Sequence, residues 1–130
     1  SRLELTRKLA PHEAHPGEIE AVLDELQAKG YISEARVAAS VVHRRAPKLG
    51  TARVRQELQS KGLPPELVAQ TVAELRQSEQ ARAQDVWRRK FDAPPQNPQE
   101  TVKQMRFLIS RGFAPDVVRR VVAAAGQTDD

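Results

Sequence analysis

Few residues of this 130-residue chain have the type and spacing that catalysis needs. His12 and His15 stand three apart in His-Glu-Ala-His, a spacing that can chelate a metal from one helix face. Pro11 and Pro16 flank them closely, however, so the segment reads as a solvated loop between helices. The zinc-protease pattern, two histidines four apart with Glu beside the first, is not present. Ser40 and His43 are helical neighbours, but no carboxylate or oxyanion donor accompanies them. The six glycines are isolated, at 17, 30, 50, 62, 112 and 126, so no Gly-rich loop is placed to cradle a phosphate. With no cysteine there is no disulfide, thiolate zinc site or cysteine nucleophile. The expectation is a protein that is not an enzyme, with no catalytic residue, metal or cofactor.

Arginine and lysine offer more. Arg44, Arg45 and Lys48 run into Arg53, Arg55 and Lys61, and a second cluster follows with Arg88, Arg89, Lys90, Lys103, Arg106 and Arg111. Guanidinium presents a planar donor fork that suits carboxylate and phosphate alike. Residues 35–111 hold 15 Lys/Arg against 7 Asp/Glu, whereas residues 1–34 hold 4 against 7, so an anionic partner is drawn to the middle of the chain. Many of these cations fall at predicted helix C-termini, where about one or two per end complement the macrodipole. These ends carry two or three.

The elements that must position these cations are punctuated by proline and glycine. Between the prolines, apolar residues recur with helical period: Ile19, Val22, Leu23 and Leu26; Val68, Thr71, Val72 and Leu75; Val102, Met105 and Ile109; Val117, Val118, Val121, Val122 and Ala125. Gly30, Gly62, Gly112 and Gly126 stand where left-handed caps belong. Ser33, Thr51 and Ser78 suit N-caps, and Pro65 and Pro115 suit a first helical turn. No segment alternates with period two for long enough to form a strand. The fold class is all-α, with about eight short helices counting the one at the N-terminus.

The helices repeat. At an offset of 50, Leu58, Gly62, Pro65, Val68 and Val72 fall on Leu108, Gly112, Pro115, Val118 and Val122. At an offset near 45, Ser33-Glu34 falls on Ser78-Glu79, and Val42-His43-Arg44-Arg45 on Val86-Trp87-Arg88-Arg89. The spacing predicts tandem three-helix repeats in an elongated array. Residues 1–32 form the last two helices of a first repeat, 33–77 a second, and 78–130 a third with a Pro-rich loop at 92–98. A helix-turn-helix reading fails on chemistry, because the second helices begin with Glu66 and Asp116, which would repel phosphates. Trp87, at the position of His43, reads as core or as a partly exposed interface anchor. No apolar run is long enough for a membrane span. Ser1-Arg2-Leu3-Glu4 shows neither signal-peptide pattern nor initiator Met, as expected of a fragment that begins inside a longer cytoplasmic protein.

Val54-Arg55-Gln56-Glu57-Leu58-Gln59-Ser60-Lys61-Gly62-Leu63 after Gly50, Gly30-Tyr31 with Arg36, and Gln104-Met105-Arg106-Phe107-Leu108 with Arg111-Gly112-Phe113 resemble the RecX family. This family comprises bacterial regulators of the RecA recombinase built from tandem three-helix repeats. Ser1 to Leu9 resembles the middle helix of its first repeat, so that the first helix of that repeat is absent here. The resemblance implies a monomeric regulator that binds the RecA filament and inhibits its recombination and ATPase activities, damping DNA repair and the SOS response. It also associates the family with direct contact to single- or double-stranded DNA, and a stand-alone DNA-binding helical module is the alternative function. Arg44, Arg45, Lys48, Arg53, Arg55, Lys61, Arg88, Arg89, Lys90, Arg106 and Arg111 are the candidate contacts. Ile32-Ser33-Glu34 departs from the more acidic helix start common in the family.

Overall fold

The computed structural model describes residues 2–127, all of whose regular elements are helices. In chain order they are α1 (Arg2–Leu9), a 3-10 turn (Ala10–His12), α2 (Glu18–Arg45), α3 (Thr51–Ser60), α4 (Pro65–Lys90), α5 (Pro98–Ser110) and α6 (Pro115–Ala125). Six α-helices stand where about eight were expected. The segments 18–29 and 33–45 are fused into α2, and 65–75 and 78–90 into α4. Gly30 and Ser33 lie inside α2, because a single glycine costs a helix only about 1 kcal/mol and no proline follows it. Ser78 lies inside α4, where its hydroxyl donates back to the Leu75 carbonyl at 3.2 Å and caps nothing.

The left-handed turns expected at Gly62 and Gly112 are present, with φ of 71° and 94°. Pro65 and Pro115 each open the helix that follows. Gly126 caps α6 at φ −75° without entering the left-handed region. Thr51 is the first residue of α3, with Gly50 as its N-cap. An unforeseen cap opens α5: Asn97 accepts from the Glu100 N–H at 2.8 Å, while the Glu100 carboxylate accepts from the Gln96 N–H at 2.7 Å.

The chain divides into two compact units between Val37 and Ala38. In the first, Arg2 donates to Glu20 at 2.8 Å, to Asp24 at 2.6 Å and to Gln27, and these carboxylates push its pKa up. Leu23 is buried, but Val22 and Leu26 of the expected apolar stripe are 47% and 56% exposed. Leu3, Leu5, Tyr31 and Ile32 are exposed as well.

The second unit holds two cores of the same design. One gathers Ala38 and Val41 of α2, Val54 and Leu58 of α3, and Leu67, Val68, Val72 and Leu75 of α4. The other gathers Ala83 and Val86 of α4, Leu108 of α5, and Phe113, Val117, Val118, Val121 and Val122 around α6. Thus α4 serves the first core with its N-terminal half and the second with its C-terminal half. The stripe expected on α5 is rotated: Val102 and Ile109 are exposed, while Gln104 and Leu108 are buried. Gln104 is held inside because its side-chain oxygen accepts from the Trp87 indole at 2.8 Å and its amide donates to the Ala93 carbonyl at 3.2 Å.

The two three-helix groups meet at a glycine pair. Gly50 N–H donates to the Arg111 carbonyl at 2.7 Å, and Ala52 N–H to the Gly112 carbonyl at 3.2 Å. A Cβ on Gly50 would lie 2.2 Å from the Gly112 carbonyl carbon, so the backbones touch where a side chain should be. A Gly50→Ala variant is expected to lose about 2–3 kcal/mol through overpacking. Gly30→Ala, in open helical space, is expected to gain about 0.5–1 kcal/mol. Urea unfolding midpoints of the two variants should therefore move in opposite directions.

Candidate functional site

The residues that bring the cations together are a buried carboxylate and one arginine. Glu79 of α4 is 3% exposed, and its carboxylate accepts from the Thr51 N–H at 2.8 Å, meeting one of the unpaired donors at the start of α3. One turn further, Arg82 uses all five of its N–H donors. They reach the Ala46 carbonyl at 3.0 Å, the Leu49 carbonyl at 2.6 Å, the Thr51 hydroxyl at 3.1 Å, the Leu75 carbonyl at 3.0 Å and the Ser78 hydroxyl at 3.0 Å. Its guanidinium also lies 6.0 Å from the Phe113 ring centroid. Burial pulls the Arg82 pKa down, and the Glu79 charge partly offsets this. The loop between α2 and α3 is thereby tied to the middle of α4, next to the glycine contact.

This docking shapes a cleft of about 470 Å³ lined by Arg45, Lys48, Leu49, Arg53, Val86, Arg89, Lys90, Phe107 and Arg111. Six expected contact residues therefore converge, three from each three-helix group. Several are held in place. Arg45 Nε donates to Glu57 at 2.9 Å, Arg53 to the Ser110 carbonyl at 2.8 Å, and Arg89 to the Pro47 carbonyl. Lys90 and Arg111 lie 5.2 and 4.7 Å from the centroid of the Phe107 ring.

The remaining candidates lie elsewhere. Arg44 reaches Glu57 at 3.6 Å, and Arg88 pairs with Asp85 at 3.7 Å along α4. Such exposed pairs contribute little to stability. Arg55 lines a separate apolar groove with Leu63, Val68, Val72 and Arg76. Lys61 caps α3, and Arg106 is exposed on α5. His15 lies in the loop before α2, where its N–H and that of Ala14 donate to the Glu18 carboxylate at 3.2 and 3.0 Å. Trp87 is half-buried with its N–H satisfied by Gln104, a place in the second core.

Sequence reasoning passed over Glu79, Arg82 and Phe107 as functional residues. The signal was there for the first two. Leu75, Glu79, Arg82 and Val86 follow one another at steps of four, three and four, so two charged residues occupy the buried stripe of α4. A charge in such a stripe needs a partner.

Two family models match the chain. That described as "RecX, second three-helix domain" covers residues 33–72, and that described as "RecX, third three-helix domain" covers 77–122. The chain belongs to the RecX family. Proteins named "Regulatory protein RecX" align along nearly its whole length. That of Leptothrix cholodnii is 55% identical over 130 residues, covering all of this chain and 83% of the relative. That of Ralstonia nicotianae is 47% identical over 125 residues, 96% of this chain and 79% of the relative. That of Pseudomonas fluorescens is 41% identical, covering 98% and 84%. The cleft thus joins residues of the second and third RecX domains, and the Glu79–Arg82 latch lies near the start of the third. Among the described residues no helix is long and apolar enough to cross a membrane.

An Arg82→Met variant strips five acceptors of their donor and is expected to lose about 2–4 kcal/mol. Arg88→Met, which breaks only an exposed pair, should stay within about 0.5 kcal/mol of the parent. Equal unfolding midpoints for these two variants would refute the latch.

Proposed function

We propose that this chain is a non-catalytic regulator that binds the filament of the RecA recombinase and inhibits its recombination and ATPase activities. It acts as a cytoplasmic monomer of repeats 1–32, 33–77 and 78–130. The convergence of six cations from two repeats in one cleft carries this reading. A recombinase filament on DNA is a polyanion, and a concave cationic surface concentrates the field that steers a polyanion toward it. Membership of a family whose relatives are named regulatory proteins supports a role in control rather than catalysis.

Direct DNA binding as a stand-alone module draws on the same cleft, and salt separates the two readings. Phosphate contacts release counterions, so affinity for bare DNA falls steeply and linearly on a logarithmic salt scale. A protein-to-protein contact with an apolar component falls less steeply.

Lys48 and Lys90 are the informative positions to reverse, because neither side chain holds a backbone carbonyl or a carboxylate among the described residues. The double variant Lys48→Glu, Lys90→Glu is expected to fold normally and to lose about tenfold or more in inhibition of RecA ATP hydrolysis and strand exchange. Arg119→Glu with Arg120→Glu, outside the basic segment, should remain within about twofold. Undiminished inhibition by the folded Lys48/Lys90 variant would move the contact surface away from the cleft.

A further inference from the structure

The cleft is not uniformly charged, and its apolar part bears on which anion it suits. Val86 is buried and Leu49 and Phe107 are half-buried, whereas all six cations around them are exposed. The site therefore has an apolar floor and a cationic rim. Nucleic-acid strands are held by stacking bases on open aromatic rings. Here the Phe107 ring already has Lys90 and Arg111 over it and packs T-shaped with Phe91, centroids 5.5 Å apart, and a base would have to displace them. Beside the cleft, one of its rim cations, Arg45, already recognises a carboxylate. Glu57 is clasped by Arg45 at 2.9 Å and Arg44 at 3.6 Å, and its Oε2 lies buried without a hydrogen bond of its own. Lys48, Lys90 and Arg111, by contrast, have no carboxylate within ion-pair distance among the described residues.

We infer that the cleft takes an acidic peptide segment of a protein partner, seating one apolar side chain on Leu49 and Val86 and flanking carboxylates on Lys48, Lys90 and Arg111. The ammonium groups supply point charges and Arg111 a planar fork, so closely spaced carboxylates on either side of an apolar anchor match the lining. An apolar anchor in a pocket ringed by polar groups is the arrangement that concentrates binding energy at interfaces. The inference rests on the function proposed above only in assigning that segment to the recombinase rather than to DNA.

The test uses the whole chain and a short fluorescein-labelled peptide with one leucine between runs of Asp and Glu, titrated by anisotropy near physiological salt. Saturable binding is expected. It should weaken about tenfold when the peptide leucine is replaced by serine, and about tenfold for Lys90→Ala with Arg111→Ala. Arg119→Ala with Arg120→Ala should leave it unchanged, and circular dichroism checks that each variant folds. Absence of saturable binding, or equal binding of an all-Glu peptide, overturns the inference. So does an oligothymidylate that displaces the peptide and depends more strongly on Lys90 and Arg111 than the peptide does, since the cleft would then be a phosphate site. A chain that inhibits RecA but ignores the peptide overturns this inference alone. A chain that binds the peptide without inhibiting RecA supports the peptide site and overturns the proposed function.

Discussion

A single guanidinium holds the working part of this molecule together. Arg82 must find five acceptors because a charged group leaving water tolerates no idle donor, and the loop between α2 and α3 supplies two of them and the first residue of α3 a third. Glu79 supports it twice, by occupying the first amide of α3 and by offsetting the burial of the positive charge. With that loop fixed, Gly50 can press against Gly112, and the cations on either side of the seam face one space. Charge on the surface thus depends on charge in the interior.

The same seam explains why the cations are ordered rather than merely abundant. Arginine loses considerable side-chain entropy when fixed. Arg53 and Arg89 each spend one donor on a carbonyl of the opposite group, at Ser110 and Pro47, and keep the others for a ligand. Lys90 and Arg111 are steadied by the Phe107 ring, which is itself set by Phe91 and so by the end of α4. The Trp87–Gln104 bond adds a further tie between α4 and α5. Preorganisation of this kind lowers the entropy cost of binding.

What the sequence made legible was local, and what it hid was distant. The turns at Gly62 and Gly112 could be read because positive φ is a demand one residue makes on its own backbone. Pro65 and Pro115 marked helix starts for the same reason. The junctions in α2 and α4 could not be read from Gly30, Ser33 or Ser78, since none of these residues costs a helix interior more than about 1 kcal/mol. Gln104 is buried on the α5 face because it pairs with an indole seventeen residues earlier in the chain and with the Ala93 carbonyl. The candidate cations were found by type, and six of them gathered, but what gathers them acts across about thirty residues of sequence.

The continuity of α4 also limits how such a chain can change in length. A helix advances about 1.5 Å and turns about 100° with each residue. One residue inserted between Leu75 and Glu79 would therefore swing everything beyond it through more than a quarter of a circle, carrying Arg82 away from its acceptors. The loop from Phe91 to Asn97 transmits no such rotation, because no helical phase runs through it. That loop can therefore change length without turning Arg82, whereas the span from Leu75 to Val86 works as a fixed gear between the two cores it serves.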